Sequence, residues 1–463
     1  MRRSLDSHRV RLASSLGVLA GSAVGIVASA LTGAAVAQHV PAPPQAVLEA
    51  THLPPLLTLP GESSRLTYEV HCAPAEVEDP EQACDTSGSV YFRAAGGTAF
   101  STVPLEPSAS NGLRQLTAAV PAEIAARPGG FEYYAELRSA ATGGSVTTPS
   151  GGADAPNRSL PLTDAVDVSL GSHSFGSTSH GDRIASATWG DGPFDAGLEQ
   201  GKSTGAIGAS AFDVDQSGTV TLLDEAHRRL LRWARGATTP ARVPISVDGR
   251  LADMILGDDG SVHVLESVAG PGHRPLVRRF DESGRESDTV EVAERTPSQI
   301  RLGPIGPVVL QQPSGQWMPV TINGSPLSPE RQRRAGSNGR PLRGGGEVVV
   351  LRRGNEIRVA AVDNGRVRRG WRITSQTPVA EVQLAQPLGR RLVLVVRLYT
   401  EASAEFAVLI LDQHGLARRL ALDPADWAET APLGRFRMVD GFLYRLGSDP
   451  DLAFVDRFDL EVR

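Results

Sequence analysis

The chain has 463 residues, of which 40% are hydrophobic and 21% charged, and its formal net charge is -6 at pH 7. This length accommodates two or three domains, and the weak negative charge excludes the two charge-driven classes, nucleic-acid-binding proteins and proteins with acidic tails. The 49 glycines and 33 prolines, in a chain rich in Val, Leu and Thr, favour many short strands joined by turns. Lys202 is the only lysine, a bias that indicates a GC-rich bacterial genome.

The N-terminus has the three parts of a secretory signal peptide. Four arginines precede residue 12, residues 12–37 carry no charge, and the uncharged run closes with Ala35-Val36-Ala37. About 20 such residues suffice to span a bilayer, so an uncleaved membrane anchor is the alternative. Residues 1–37 therefore predict an exported protein, located in the periplasm, at the cell surface or outside the cell.

Cys72 and Cys84 are the only cysteines, and both lie in one polar stretch. Two cysteines in an exported chain predict a disulfide. A loop of this size, once closed, stabilises the fold by about 3 kcal/mol in the chain-entropy account. A metal site needs further ligands, and only His71 is nearby, so the disulfide is the preferred interpretation.

The next segments predict a small β-sandwich between two irregular stretches. Residues 38–60 are Pro-rich and predict an extended spacer, and residues 151–182 are rich in Gly, Ser, Asp and Pro and predict an interdomain linker. Between them, residues 61–150 contain short alternating strands, at 66–71, 89–93, 100–105, 113–120, 131–139 and 145–148. This density of strands is typical of immunoglobulin or fibronectin type III sandwiches. The segment GGFEYYAELRSA resembles the penultimate strand of bacterial fibronectin-like modules.

A repeat fills residues 183–463. Each unit centres on a turn glycine between two apolar strands, and these glycines are Gly218, Gly260, Gly306, Gly346, Gly389 and Gly441. Their spacings are 42, 46, 40, 43 and 52 residues. Four-stranded units of this period predict a β-propeller, here with six blades. The last unit runs out after its third strand, so residues 183–189 are predicted to supply the missing strand and close the ring. The fold class is therefore all-β.

The first unit, ASAFDVDQSGTVTLLDEAHRRLLRW, resembles the repeat of NHL-type β-propellers. Phe212, Asp215, Gly218, Asp224 and Arg228 match that pattern, whereas residue 227 is His where the family usually has Asn. The resemblance implies a six-bladed ring. It implies no particular activity, because such rings serve binding proteins and enzymes alike.

Two His-Arg pairs are the candidate binding residues. His227-Arg228 and His273-Arg274 occupy equivalent loops of adjacent units, and loops at one mouth of a propeller converge on its channel. NHL-like lyases hold zinc with histidines from several blades, but no third histidine occurs in an equivalent loop here. These four residues are therefore the candidate ligand contacts, and polar loop residues next to the start of a strand are the preferred interpretation.

The spacing of acids in the first unit also suggests a calcium site. Five residues of the first unit, Asp213, Asp215, Ser217, Gly218 and Asp224, have the spacing of an EF-hand loop. The second unit keeps the hairpin but has Ile255 and Gly257 opposite the first two aspartates. The hairpin therefore needs no metal, and no cofactor is predicted, with calcium and zinc left open.

The sequence contains no motif of a nucleophile elbow, a zinc protease or a phosphate-binding loop. An Arg-rich stretch at residues 331–372 predicts either a solvated edge or a basic patch that meets anionic envelope polymers. The chain is therefore predicted to be a non-enzymatic binding or scaffold protein that uses its propeller to bind protein, peptide or polysaccharide. The alternative is a propeller enzyme, a lyase or lactonase, with a divalent metal in the channel.

Overall fold

Strands make up almost all of the regular structure. The computed structural model describes residues 47–62, 64–73, 85–110, 113–140, 143–200, 205–268, 273–312, 314–429 and 434–461. In these ranges, no helix has both the length and the apolar character needed to cross a membrane. The predicted signal peptide lies outside the described residues, as do Cys84 and the side chain of Cys72, so export and the disulfide stay predictions.

Residues 47–161 form a two-sheet β-sandwich. Its strands are β1 (Val47–His52), β2 (Leu57–Thr58), β3 (Arg65–Ala73), β4 (Thr86–Ala94), β5 (Ser101–Pro104), β6 (Glu106–Ser110), β7 (Leu113–Ala119), β8 (Phe131–Ser139), β9 (Ser145–Thr148) and β10 (Asn157–Pro161), with one short helix, α1 (Ala122–Ala125). One sheet has the order β1-β3-β7-β6, and the other has the order β2-β10-β8-β4-β5, with β9 on β8.

Alternation along the strands builds the core of the sandwich. Leu66, Tyr68 and Val70 of β3 are buried against Phe131 and Tyr133 of β8, while the residues between them are more exposed. All six strands predicted for this segment are confirmed. Strands β1, β2, β6 and β10 were not predicted.

Two predictions about irregular segments are wrong. From residue 47 the predicted spacer is folded, because Leu48, Ala50 and His52 alternate into the core and β1 pairs with β3. The predicted linker contains β10, which pairs with β8, and β11 (Val166–Ser169), which pairs in parallel with a strand of the propeller. Proline and glycine content concealed the alternation in both segments.

The rest of the described chain is a β-propeller, built from successive antiparallel sheets that we label A to F. Sheet A has β15 (Ala211–Val214), β16 (Val220–Asp224), β17 (Arg229–Trp233) and β18 (Ala241–Pro244); sheet B has β19 (Arg250–Leu256), β20 (Val262–Val268), β21 (Leu276–Phe280) and β22 (Glu286–Glu291); sheet C has β23 (Thr296–Leu302), β24 (Pro307–Gln312) and β25 (Trp317–Pro319).

Sheets D to F complete the series. Sheet D has β28 (Arg340–Pro341), β29 (Glu347–Arg353), β30 (Glu356–Asp363) and β31 (Arg366–Thr374), with β11 added outside; sheet E has β32 (Val379–Leu388), β33 (Arg391–Tyr399), β34 (Ala404–Asp412) and β35 (Gly415–Leu422); sheet F has β36 (Phe436–Val439), β37 (Phe442–Ser448), β38 (Leu452–Asp459) and β12 (Asp182–Thr188). Short hairpins β13 (Glu199–Gln200) with β14 (Ala206–Ile207) and β26 (Thr321–Ile322) with β27 (Ser325–Pro326), and helix α2 (Pro329–Arg334), lie between sheets.

The six turn glycines are confirmed as the centres of the repeat. Each lies between the first and second strands of its sheet, and all six have positive φ, from 57° at Gly389 to 148° at Gly306. Backbone of this kind disfavours residues with a side chain, which is why glycine recurs at this point of every unit.

The inner strands of neighbouring sheets meet, and the two ends of the ring are joined. Strand β15 contacts β19, β19 contacts β23, β32 contacts β36, and β36 returns to β15. The predicted closing strand is confirmed, because β12 pairs with β38 and completes sheet F. Ala185 and Ala187 of β12 are buried in a cluster that sheets F and A share, so closure also packs one seam of the ring.

His52 is a buried base in the sandwich core. Its Nδ1 donates to the carbonyl of Thr67 at 2.7 Å, and Nε2 accepts from the Tyr133 hydroxyl at 2.7 Å. Burial disfavours the charged imidazole and lowers the pKa of His52 to about 4. Burial likewise lowers the pKa of His263, on β20, to about 4.

We expect acid to weaken the fold through these two histidines. Each stays neutral in the folded chain but gains a proton near its ordinary pKa of about 6.5 when unfolded, so stability is complete above that pH and falls as the pH drops toward about 4. The loss for His52 approaches about 3 kcal/mol at the acid end. Urea unfolding of the full chain at several pH values measures it. In the His52→Gln, His263→Gln double variant the slope over this window should largely disappear; an unchanged slope would contradict the assignment.

Candidate ligand-binding cavity

A cavity of about 1020 Å³ opens at the end of the propeller where the first and second strands of the sheets turn. The inner strand of every sheet from A to F lines it, through Asp213 (β15), Ile255 (β19), Arg301 (β23), Arg340 (β28), Gln386 (β32) and Arg437 (β36). Because these strands are neighbours only around the ring, the cavity lies on the ring axis. Its volume is in the range of pockets that hold small ligands.

The floor of the cavity is the part lined by Asp213, Arg301, Arg340 and Arg437, and Asp253 lies behind it. Asp253 is fully buried on β19, its Oδ2 accepts from Arg301 Nη1 at 2.5 Å, and its Oδ1 accepts from Arg437 Nη2 at 2.6 Å. The backbone amides of Met254 and Ile300 also donate to it, at 2.9 and 3.1 Å. One carboxylate thus ties together the inner strands of sheets B, C and F.

Asp213 is the second acid of the floor. Its Oδ2 accepts from the Leu256 amide at 2.8 Å, and Oδ1 lies 3.5 Å from Arg437 Nε. Burial raises the pKa of Asp213 above its usual value, although Arg437 opposes that shift. The negative charge at this position is therefore held less firmly than in a solvated aspartate.

Arg340 differs from the other floor arginines because it has no acid partner. Its Nη2 donates to the carbonyl of Ala385 at 2.6 Å, and no carboxylate of the described residues forms an ion pair with it. Burial, and then repulsion from Arg301 and Arg437, lower the pKa of Arg340 to about 9. Such a cation gains most from an anion that enters the cavity.

The rim of the cavity has the opposite charge. It carries five carboxylates and one guanidinium group on the turns and one guanidinium group on β17, which are Asp215, Asp258, Asp259, Glu282, Asp440, Arg343 and Arg232. Arg343 pairs with Asp258. A hydrogen bond from the Ser261 hydroxyl, and to a smaller extent the interaction with Arg279, lower the pKa of Asp259 to about 2. The rim therefore stays negative while the floor is positive.

The sandwich lines a second cavity together with sheets C, D and E. This cavity has a volume of about 390 Å³, and Arg301 and Arg340 line both cavities, which places them in the wall between the two. Leu53, Pro54 and Leu56 of the sandwich segment line the second cavity. Glu62 of the same segment accepts from Arg358 of sheet D at 2.5 Å, so a salt bridge joins the sandwich segment to the propeller.

The predicted binding residues lie elsewhere. His227 Nδ1 donates to the Asp224 carboxylate at 2.8 Å, Arg228 donates to the carbonyl of Gly249 at 2.7 Å, and Arg274 donates to the carbonyl of Ala293 at 2.7 Å. His273 is exposed. Neither pair is among the described residues that line the two cavities. Binding by these four residues stays a prediction.

The structure disperses the candidate calcium ligands. Asp215 accepts from Ser217 and from the amide of Thr219 inside its own turn, Asp213 faces the floor, and Asp224 is buried with Arg229 at 2.8 Å. Across the described ranges, no group of three or more His, Cys, Asp or Glu side chains is arranged to hold a metal ion.

Seven arginines of the Arg-rich stretch pair with acids, five of them with acids from other parts of the chain and two with acids of the stretch itself. Arg333 meets Glu294, Arg353 and Arg358 meet Glu62, and further pairs join Arg334 to Asp154, Arg343 to Asp258, Arg368 to Asp363 and Arg372 to Glu356. Within this stretch, Arg340 lies at the floor of the axial cavity and Arg343 at its rim. These residues therefore do not form a continuous basic patch.

Sequence reasoning missed Asp253, Arg301 and Arg437 and did not separate Arg340 from its neighbours. The available signal was position, since each charged residue lies on an inner strand, four to seven places before a turn glycine. Arg301, Arg340 and Arg437 at such positions line the axial cavity, and Asp253 is buried behind Arg301 and Arg437.

Comparisons with known proteins find likeness to solved structures at low identity and low TM-score. No protein-family model matches the chain, and a search of curated proteins finds no match. Similar solved structures include a virginiamycin B lyase from Staphylococcus aureus (8% identity, 54% of this chain and 95% of that one, TM-score 0.34), a DUF4221 family member from Bacteroides vulgatus (9%, 61% and 99%, 0.33) and YCF48 bound to D1 peptide (10%, 64% and 98%, 0.31). At these TM-scores the likeness carries no argument about activity.

Proposed function

We propose that the chain is an exported, non-enzymatic binding protein whose ligand enters the axial cavity. In this proposal sheets A to F are the six blades of an NHL-like ring, and the sandwich is an immunoglobulin- or fibronectin-like support. The partner is a protein, peptide or polysaccharide of the cell envelope or the extracellular space.

The observation that carries the proposal is the axial cavity itself. Charged side chains from four different sheets meet at its floor, where Asp213, Arg301, Arg340 and Arg437 are held by buried Asp253 and by backbone groups. Buried charges cost stability unless they are paired, so a protein that keeps an unpaired one usually uses it.

The cavity opens at the end of the ring with the turn glycines. Arg301 and Arg340 separate it from the second cavity, which Leu53, Pro54 and Leu56 line. A ligand therefore approaches through the acidic rim, and the rigid sheets need not move to admit it.

A blocked cavity should abolish binding. Thr219 lines the cavity just after turn Gly218, and Thr289 is exposed on outer strand β22. We expect Thr219→Trp to lower the retention of a random hexapeptide pool and of an oligosaccharide pool on the immobilised full chain by at least about tenfold, equivalent to about 1.4 kcal/mol. Thr289→Trp, with the same change in bulk, should retain what the unmodified chain retains. If Thr219→Trp retains both pools undiminished, the ligand does not enter the axial cavity.

A further inference from the structure

The cavity is electrically polarised along its axis. Three guanidinium groups, of Arg301, Arg340 and Arg437, face two carboxylates at the floor, so the floor has an excess of one positive charge. Among the residues that line the rim, carboxylates outnumber guanidinium groups by three, and by two when Arg279, which pairs with Asp259 from outside the lining, is counted. An occupant that complements both parts has one negative charge at its leading end and positive charge behind it.

Arg340 supplies the contact for the leading end. Its guanidinium uses Nη2 on the Ala385 carbonyl, and its other donors are free of ion pairs within the described chain. A guanidinium presents its donors as a planar fork that matches the two oxygens of a carboxylate. Arg301 and Arg437, by contrast, are already engaged by Asp253 at 2.5 and 2.6 Å.

We propose that the axial cavity binds the C-terminus of a peptide, with its carboxylate on Arg340 and a basic side chain close behind it at the acidic rim. This inference rests on the proposed function, since it takes the cavity as the binding site. A peptide end is the occupant that carries a single negative charge at its tip and admits positive charge within a few residues.

The same charges disfavour the other anions. A phosphate group brings nearly two negative charges to a floor whose excess is one, and it must pass the carboxylates of the rim. An acidic polysaccharide carries repeated carboxylates, which would lie against Asp440 and Glu282 at the mouth. Both remain outcomes of the test below.

The test compares two random hexapeptide pools that differ only at the C-terminus, one with a free carboxylate and one with an amide. On the immobilised full chain we expect the free-acid pool to be retained at least tenfold more strongly, with Lys and Arg enriched near the C-terminus of the retained peptides. Arg340→Met should reduce the free-acid pool to the level of the amide pool. Arg366→Met, which removes an exposed arginine of sheet D, should leave the ratio unchanged.

Each other outcome overturns the inference and is distinguishable from failure of the proposed function. Equal retention of acid and amide pools, both lost in Thr219→Trp, keeps the cavity as the binding site but removes the carboxylate contact. If neither pool is retained, a peptide is not the ligand of the cavity. If inorganic phosphate displaces a bound oligosaccharide, the floor binds a different anion. Retention that is insensitive to both Arg340→Met and Thr219→Trp defeats both proposals.

A second readout does not depend on any ligand. Arg340 is half-buried, is repelled by Arg301 and Arg437, and has no carboxylate partner among the described residues, so we expect Arg340→Met to raise the melting temperature of the full chain by about 3 °C while it abolishes free-acid retention. A residue whose charge is paired would lower the melting temperature when replaced. A lowered melting temperature in Arg340→Met would therefore contradict the assignment of Arg340 as the unpaired cation of the cavity.

Discussion

Replacement of Asp253 by asparagine should destabilise the protein more than any other single change at the cavity. The substitution keeps the shape of the side chain but removes the charge that Arg301 and Arg437 share. Three guanidinium groups would then remain in the buried centre with Asp213 as their nearest acid. We expect the free energy of unfolding to fall by about 3–5 kcal/mol, the usual cost of breaking a buried ion pair.

Urea unfolding of the full chain measures this loss, and Asp215 offers a matched control. Asp215 lies on the rim, where its Oδ1 accepts from Ser217 and Thr219, and asparagine can keep that acceptor. Asp215→Asn should therefore cost less than about 1 kcal/mol. Equal losses for Asp253→Asn and Asp215→Asn would show that the buried charges do not hold the inner strands together.

The seam where the ring closes should give the second large effect. Ala187 of β12 pairs with Ala453 of β38 and is buried in the cluster that contains Phe212 and Val214 of sheet A. Ala187→Asp places a carboxylate in this apolar cluster, and we expect a loss of about 3 kcal/mol or more. The carboxylate would also push β12 away from sheet A and open the ring at the seam where its two ends are joined.

A variant of the neighbouring residue, Ser186, distinguishes the effect of burial from the effect of strand pairing. Ser186 lies on the same strand and is exposed, so Ser186→Asp adds the same group on the solvent side and should cost less than about 0.5 kcal/mol. Urea unfolding and limited proteolysis of the full chain compare the two. If Ala187→Asp unfolds at the same urea concentration as Ser186→Asp, β12 does not pack against sheet A and the ring is not closed at that seam.

Local chemistry made the propeller predictable. A turn with positive φ selects glycine at Gly218 and its five equivalents, and apolar strands on either side repeat at a nearly constant distance. The closing strand was predictable because the last unit lacked one strand. Strand β1 was not, since the prolines around it suggested a spacer, and its alternation of Leu48, Ala50 and His52 has meaning only beside β3.

The cavity was much less predictable, because its residues meet only through ring closure. Asp253 and Arg437 are 184 positions apart, and nothing local in either strand signals the other. His227 stood out as part of a His-Arg pair in a loop that recurs in the next unit, yet its contacts are with Asp224 and Asp191 and not with the cavity. Arg340 appeared as one of many arginines, and only the positions of the acids distinguish it from Arg353 or Arg358, which pair with Glu62.

The most direct test of the account is a crystal structure of the full chain with a peptide selected from the free-acid pool. We expect density for the peptide in the axial cavity, with its C-terminal carboxylate within hydrogen-bond distance of Arg340 and a basic side chain among Asp215, Glu282 and Asp440. Density for the peptide outside the cavity, or inside it with the carboxylate pointing to solvent, would contradict the account.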